Sequence, residues 1–383
     1  MSLLMRPTPS VESLRRDHGA PHRHVDWSIV GLSVVLALIG LAAIFSATKG
    51  SDADPYTGLL VRQTVALLLG LLLMVVGAFF DYRKLQRWVV AIYPATLVLL
   101  AAVLVVGQDV KGAQAWFSVG PLQLQPSEPA KLALTVTLAA WLAARRARLN
   151  LVSFGVALLL AMAPMALILL QPDLGTMLVF VVVSLCLLAV AGVRARYLLA
   201  LMVLGGLATV AVLNSDLLAD YQRDRLLVFI DRASDGKELN DESYNVAQSE
   251  TAISLGGVTG LGWGKGPQTQ EGLVPEQQTD FIFTVVGEEL GFLGAGTVLL
   301  LFLVLSLRVL RVAQLAQDEF GALLCCGVLA GVVFQVFENV GMSMRIMPVT
   351  GIPLPFLSYG GSSLLTTFAG MGLVLSVHTH RFR

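Results

Sequence analysis

Residues 151–170 read LVSFGVALLLAMAPMALILL, twenty positions without a charge. Only Gln171-Pro172-Asp173 separates them from a second run, LGTMLVFVVVSLCLLAVA at 174–191. A helix needs about 20 apolar residues to cross the hydrocarbon core of a bilayer. Three polar residues between two such runs leave room for a turn at the membrane surface. This stretch therefore predicts two antiparallel membrane-crossing helices. Working outward, the same pattern recurs at 27–47, 61–80, 88–106, 127–144, 196–213, 281–307, 320–342 and 357–377. The chain reads as an all-α polytopic membrane protein of about ten transmembrane helices. Its 56% hydrophobic and 14% charged residues, with mean hydropathy +0.75, agree. Soluble domains run at about 45–50% apolar and about 25% charged.

Lys and Arg concentrate in cytoplasmic loops. With the N-terminus inside, the inside segments collect the tail arginines and then Arg83, Lys84 and Arg87. Arg145, Arg146 and Arg148, Arg194 and Arg196, Arg308 and Arg311, and Arg381 and Arg383 follow. That is 16 of the 26 basic residues, whereas 20 of the 26 acids fall outside or near the outer helix ends. Both chain ends are expected inside: a tail at 1–26, a single ten-helix domain at 27–377 and a tail at 378–383. The first apolar run lacks a small-residue cleavage site and is expected to stay as a span. Zero formal net charge gives no support for nucleic-acid binding. Cys186, Cys325 and Cys326 sit in apolar runs and read as small buried hydrophobes. All five histidines are terminal, so none is placed for an intramembrane metal site or proton relay.

Chemistry is sought where polar residues sit at membrane depth, because ionisable groups there are expensive. Glu128 and Lys131 share a helix face at the head of span four, and pairing with each other is the plain alternative to a functional role. Asp280 closes the long outer loop 214–280, in Thr279-Asp280-Phe281-Ile282-Phe283. It is either a helix-capping acid or a partly desolvated carboxylate suited to general-base work. Glu288 and Glu289 follow in span eight, and at least one should face a polar cavity or a basic partner. Within the long loop, 216–232 has a face suited to an interfacial helix. Gly256, Gly257, Gly260, Gly262, Gly264 and Gly266 around Trp263 and Lys265 predict a tight turn or a close backbone approach. The last outer loop, Pro348 to Ser362, holds three prolines and is either a reverse turn or a re-entrant segment lining a site. Gly287-x-x-x-Gly291 and Gly327-x-x-x-Gly331 are candidate helix-packing motifs, for internal packing or for a partner.

These segments resemble a known family, the SEDS proteins (shape, elongation, division and sporulation). The match rests on Gln125-Pro126-Ser127-Glu128-Pro129-Ala130-Lys131, Gln171-Pro172-Asp173-Leu174-Gly175-Thr176 and Tyr221-Gln222-Arg223-Asp224-Arg225. Thr279 to Phe283, Gly287 to Gly291 and Pro348 to Ser362 continue it in the family's order. The closing Ser376 to Arg381 is closer to the elongation branch than to the division branch. The resemblance implies a peptidoglycan glycosyltransferase of the bacterial cytoplasmic membrane, its active site facing outward. The same resemblance implies polymerisation of lipid II into β-1,4-linked glycan during cell elongation. The partners implied are a class B penicillin-binding protein and other elongation-complex membrane proteins.

On this resemblance Asp280 is the essential carboxylate. Glu128, Lys131, Lys265, Arg223, Arg225, Glu288, Glu289, Ser358, Tyr359 and Ser362 are supporting or substrate-binding candidates. A divalent cation, Mg or Mn, is a candidate cofactor, with no metal-ligand residues assigned. Two positions depart from the family pattern. Ala115 precedes Trp116 where an Arg is usual, and Arg345 stands where Gly is common. The competing class is a lipid II flippase without chemistry, for which charged pairs near the bilayer midplane are expected. Here the charged candidates cluster outside.

Overall fold

The structure, a computed structural model, describes residues 25–49, 56–110, 113–119, 122–145, 150–213 and 241–381. Each expected span is a helix: α1 (Trp27–Lys49), α2 (Tyr56–Phe79), α3 (Arg83–Val106), α4 (Ser127–Ala143), α5 (Leu151–Leu169), α6 (Leu174–Val190) and α7 (Ala195–Leu213). In the second half, α8 (Asp241–Gly256) and α9 (Pro267–Gln270) precede α10 (Ile282–Gln314), α11 (Glu319–Ser343) and α12 (Gly361–Thr379). α1, α2, α3, α5, α10, α11 and α12 are long and apolar enough to cross a membrane. α4 and α6, at 17 residues each, are shorter, as is the apolar part of α7.

α11 and α12 are the most enclosed of the long helices and α3 the least. α12 lies along α2, where Gly77 and Gly372 bring the two backbones together: a β-carbon on Gly77 would sit 3.1 Å from Gly372. Small residues at such a crossing permit the close contact that holds helices together without a hydrophobic driving force. The outer surface carries exposed Val90, Val98, Val105, Leu159 and Leu204. Those residues face lipid in a chain of this class.

The ends of the helices confirm the expected parity. Arg308, on the last turns of α10, donates to Asp26, just before α1, at 2.8 Å. Arg83, the first residue of α3, and Tyr82 just before it both bond Asp318 before α11, at 3.2 and 2.6 Å. The starts of α1, α3 and α11 and the end of α10, all assigned to the cytoplasm, therefore pair as that assignment requires.

Three features differ from the sequence reading. The loop after α3 folds into a small antiparallel sheet, β1 (Gln108–Val110), β2 (Ala113–Val119) and β3 (Leu122–Leu124), in the order β1-β2-β3. Ala115, at the departure beside Trp116, is buried in it. α12 begins at Gly361, so 357–360 belongs to the preceding loop. α10 is two helices: Gly291 has φ 66° and ψ −165°, and breaks it. The first part, Ile282–Leu290, is too short to cross a bilayer, and its residues from Ile282 to Glu289 are all buried in protein. The second part, from Phe292 to Gln314, makes the crossing.

The glycine run explains how the break is tolerated. Leu261 and Gly262 donate their amides to the carbonyls of Glu288 and Glu289 at 3.1 and 3.0 Å. Phe292 and Leu293 in turn donate to Gly257 and Val258 at 2.9 and 3.1 Å. Each bond replaces one that a continuous helix would have made, so these carbonyls and amides stay paired across the break. The approach is backbone to backbone. A β-carbon on Gly260 would lie 2.1 Å from the Glu289 carbonyl oxygen, and one on Gly291 would lie 2.3 Å from the Gly260 nitrogen. Gly287 and Gly291 thus pack inside the protein, against Ile253 and Gly260, and Gly327 packs on Thr135 and Leu187.

Arg345 is explained by the end of α11. Its φ is 55°, its amide bonds the Met342 carbonyl at 3.2 Å, and the Ile346 amide bonds Gly341 at 2.8 Å. This is a Schellman cap with Arg345 in the left-handed position that glycine ordinarily fills. The substituent costs on the order of 1 kcal/mol there. Its ion pair with Glu250 on α8, at 3.9 Å and partly exposed, offsets less than that. We expect Arg345→Gly to raise the thermal midpoint by a few degrees in detergent, read by differential scanning fluorimetry.

Candidate functional site at the outer face

The site is organised by the loop between α11 and α12. Val349, Ile352, Leu354, Phe356, Leu357 and Ser358 are all buried. A β-carbon on Gly40 of α1 would lie 2.6 Å from the Leu357 Cα. Gly40 is nine residues from the outer end of α1, a depth of about 14 Å along the helix at 1.5 Å per residue. The loop is therefore re-entrant. Irregular backbone at that depth survives only where protein encloses it, and the surrounding helices supply the bonds. Gln63 on α2 donates to the Ser358 carbonyl at 3.1 Å and accepts from the Gly360 amide at 3.2 Å. The Tyr359 amide bonds the Gln278 carbonyl at 2.8 Å. Phe356 is held at φ 65° with its ring edge-on to Phe368.

Asp280 sits against this loop. The N-cap of α10 is Phe281, so Asp280 precedes the helix rather than capping it. Its amide bonds the Glu276 carbonyl at 3.0 Å. The key contact comes from Asn339 on α11, whose amide donates to the Asp280 carbonyl at 2.7 Å and to the Ile352 carbonyl at 2.9 Å. One side chain thus fixes the long loop and the re-entrant loop to each other. Asp280 Oδ2 lies 3.4 Å from the point where a β-carbon on Gly351 would be, and Gly351, at φ 70°, leaves that space free. The Asp280 side chain remains partly exposed. Replacing Asn339 by Leu removes both bonds while keeping the volume. We expect glycan polymerisation to fall at least tenfold, with the purified variant still monodisperse in gel filtration.

The other sequence candidates divide by what they touch. Glu128 and Lys131 pair with each other at 2.8 Å, both buried. Glu288 caps α9, accepting from the Gln268 and Thr269 amides at 2.8 and 3.0 Å and from the Thr269 hydroxyl at 2.6 Å. Glu289 accepts from Ser46 of α1 at 2.5 Å. Among the described residues the groups that bond Glu288 and Glu289 are therefore hydroxyls and amides. Ser358 accepts from the Leu354 amide at 2.9 Å and shapes the loop's turn. Ser362 accepts from the Gln125 amide and donates to the Gln123 carbonyl, both at 3.1 Å, tying α12 to the strand before α4. Lys265 is exposed on the glycine turn. Arg223, Arg225 and the interfacial stretch 216–232 lie outside the described residues.

Sequence reading missed Gln63, Asn339, Thr350 and Glu338. Glu338 is fully buried on α11 and accepts from Thr350 at 2.7 Å. A Glu-Asn pair at the apolar end of span nine was the available signal, by the same reasoning that singled out the other intramembrane charges.

The chain matches a family model described as cell cycle protein, covering FtsW, RodA and SpoVE, over residues 24–383. It is 37% identical over 363 residues to the peptidoglycan glycosyltransferase MrdB of Escherichia coli (strain K12), covering 94% of this chain and 97% of that protein. The Thermus thermophilus rod shape determining protein RodA has the same fold, with TM-score 0.71 and 35% identity over 94% of this chain and 98% of that one. A solved peptidoglycan synthase complex, described as structurally coordinating polymerization and crosslinking, contains a chain with TM-score 0.79 and 37% identity. It covers 94% of this chain and 99% of that one. The architecture, the motifs and these likenesses agree: the chain belongs to the SEDS family of polytopic membrane proteins, the group of FtsW, RodA and SpoVE.

Proposed function

We propose that this protein is a peptidoglycan glycosyltransferase that polymerises lipid II at the outer face of the cytoplasmic membrane, in the elongation branch of its family. The observation that carries the reading is Asp280, a partly exposed carboxylate whose backbone is fixed by Asn339 against a re-entrant loop. A general base needs a fixed position and access to its substrate. Asp280 removes the proton from the 4-hydroxyl of the acceptor N-acetylglucosamine. That oxygen attacks C1 of the donor N-acetylmuramic acid, and undecaprenyl pyrophosphate leaves. A single displacement inverts C1 and converts an α-linked donor into a β-1,4 linkage.

The leaving pyrophosphate needs positive charge. Lys265, exposed on its turn, and Arg223 and Arg225 are proposed for that work. Lys131 serves less well, because Glu128 already holds it. A divalent cation is proposed only as a companion of the pyrophosphate. Among the described residues no group of three His, Cys, Asp or Glu side chains could hold one. A class B penicillin-binding protein is the proposed partner, supported by the likeness to a chain of a synthase complex.

The test is lipid II polymerisation by the purified full-length chain, with and without its transpeptidase and with metal chelated. Glycan strands are expected from the chain. Passage of lipid II across a liposome bilayer with no polymer formed would favour the transporter reading instead.

A further inference from the structure

At the opposite face, a recess of about 350 Å³ opens between the start of α1 and the ends of α10 and α12. Arg308, Arg311 and Arg381 line it with His378, and among the described residues that line it Asp26 is the one carboxylate. Asp26 is 6% exposed and is bonded by Arg308 at 2.8 Å. Burial pushes its carboxyl up, but the bond and charge of Arg308 and the charge of His378 outweigh this and hold it below the usual carboxylate range. That pair neutralises one guanidinium, and Arg311 adds a further positive charge to the described lining. The buried Arg308 Nε has no hydrogen-bond partner among the described residues.

The rim is made for lipid. Trp27, 73% exposed, stands at the mouth beside Leu315, where tryptophan marks the headgroup level. Leu300, Leu303, Val304, Leu307 and Leu310 form one exposed apolar row along α10 that leads to the recess. A soluble anion would find the charge but would not need the row.

We propose that this recess binds the phosphate headgroup of an anionic glycerophospholipid from the cytoplasmic leaflet, with its acyl chains along α10. Guanidinium groups match phosphate oxygens with paired hydrogen bonds. Basic recesses between transmembrane helices on the cytoplasmic side suit such headgroups. The site is separate from Asp280 and does not rest on the proposed reaction.

The experiment uses the full-length protein purified in a neutral detergent. Native mass spectrometry is run with phosphatidylglycerol or phosphatidylcholine added, and again with excess inorganic phosphate. Phosphatidylglycerol is expected to be retained at least tenfold over phosphatidylcholine and to survive the phosphate challenge. Arg311→Gln, which leaves the Arg308–Asp26 pair intact, is expected to cut that preference at least threefold. A variant with Lys84 and Arg87, cytoplasmic basic residues away from this recess, both changed to Gln is expected to keep it. Equal retention of the two lipids would overturn the proposal. So would displacement by inorganic phosphate, which would assign the recess to a free anion, or an equal loss in the Lys84/Arg87 variant, which would show surface attraction alone.

Discussion

Purified Asp280→Asn protein should fold, bind its substrate and polymerise lipid II at least a hundredfold more slowly than the parent. The substitution is nearly isosteric. Two bonds that place residue 280 are made by its backbone: its carbonyl accepts from Asn339 and its amide donates to Glu276. Both survive a change of side chain. General-base assistance contributes typically about 10²–10⁴-fold, or roughly 3–5 kcal/mol of barrier. The measurement is the initial rate of glycan formation from fluorescent lipid II, beside a thermal melt. An unchanged rate in a folded variant would remove Asp280 from the reaction. Asn339→Leu is the companion comparison: it leaves the carboxylate and disturbs its placement, so its loss should be the smaller of the two.

The largest effect on stability is expected from Gly260→Ala. A methyl group there would meet the Glu289 carbonyl oxygen at 2.1 Å, and the residue's φ of 80° is one that side chains rarely adopt. Neither difficulty can be relieved by turning a flexible side chain, because the obstacle is backbone. Moving the turn away breaks the bonds from Leu261 and Gly262 to the carbonyls of Glu288 and Glu289. Each buried carbonyl left without a partner costs about 1–3 kcal/mol, and left-handed strain adds about 1 more. A loss of at least 3 kcal/mol is expected, seen as a thermal midpoint lowered by 10 °C or more or as failure to accumulate in membranes. Gly262→Ala is the control: its φ is also positive, at 100°, but the nearest atom is the flexible Lys265 side chain at 3.4 Å. It should lose much less.

The membrane helices were legible because hydrophobic length is a strong signal at every span. Even the shorter α4 and α6 were marked by Pro-acid sequences at their heads, with Asp173 capping α6 through Thr176. The small sheet was not legible. β1 and β3 have three residues each, too few for a period of two to stand out from an ordinary polar loop. The break in α10 was hidden differently. Gly291 sits in apolar surroundings that continue on both sides, and what makes it a break is a partner strand of glycines some 30 positions earlier. Their need for close backbone approach was visible, but the backbone they approach was not.

In the site, charge could be read and placement could not. Asp280 stood out as an acid at a membrane boundary. Glu288 stood out equally, yet it turns out to cap α9. Gln63 and Asn339 are uncharged amides in apolar helices, and only the fold reveals that they carry the re-entrant loop. Their work is to bond carbonyls, which leaves no trace in charge counts or motif spacing.

The clamp on the re-entrant loop has a consequence for how the protein is made. Gln63 lies on the second membrane helix, while the loop it grips, 295 residues further on, and the Ser362 anchor beside it reach the ribosome's exit much later. Until α12 is inserted beside α2, the loop lacks the helix pair that encloses it, and Asp280 lacks the wall it rests against. Competence therefore waits for α12. A nascent chain without it would be a membrane protein, but not yet an enzyme.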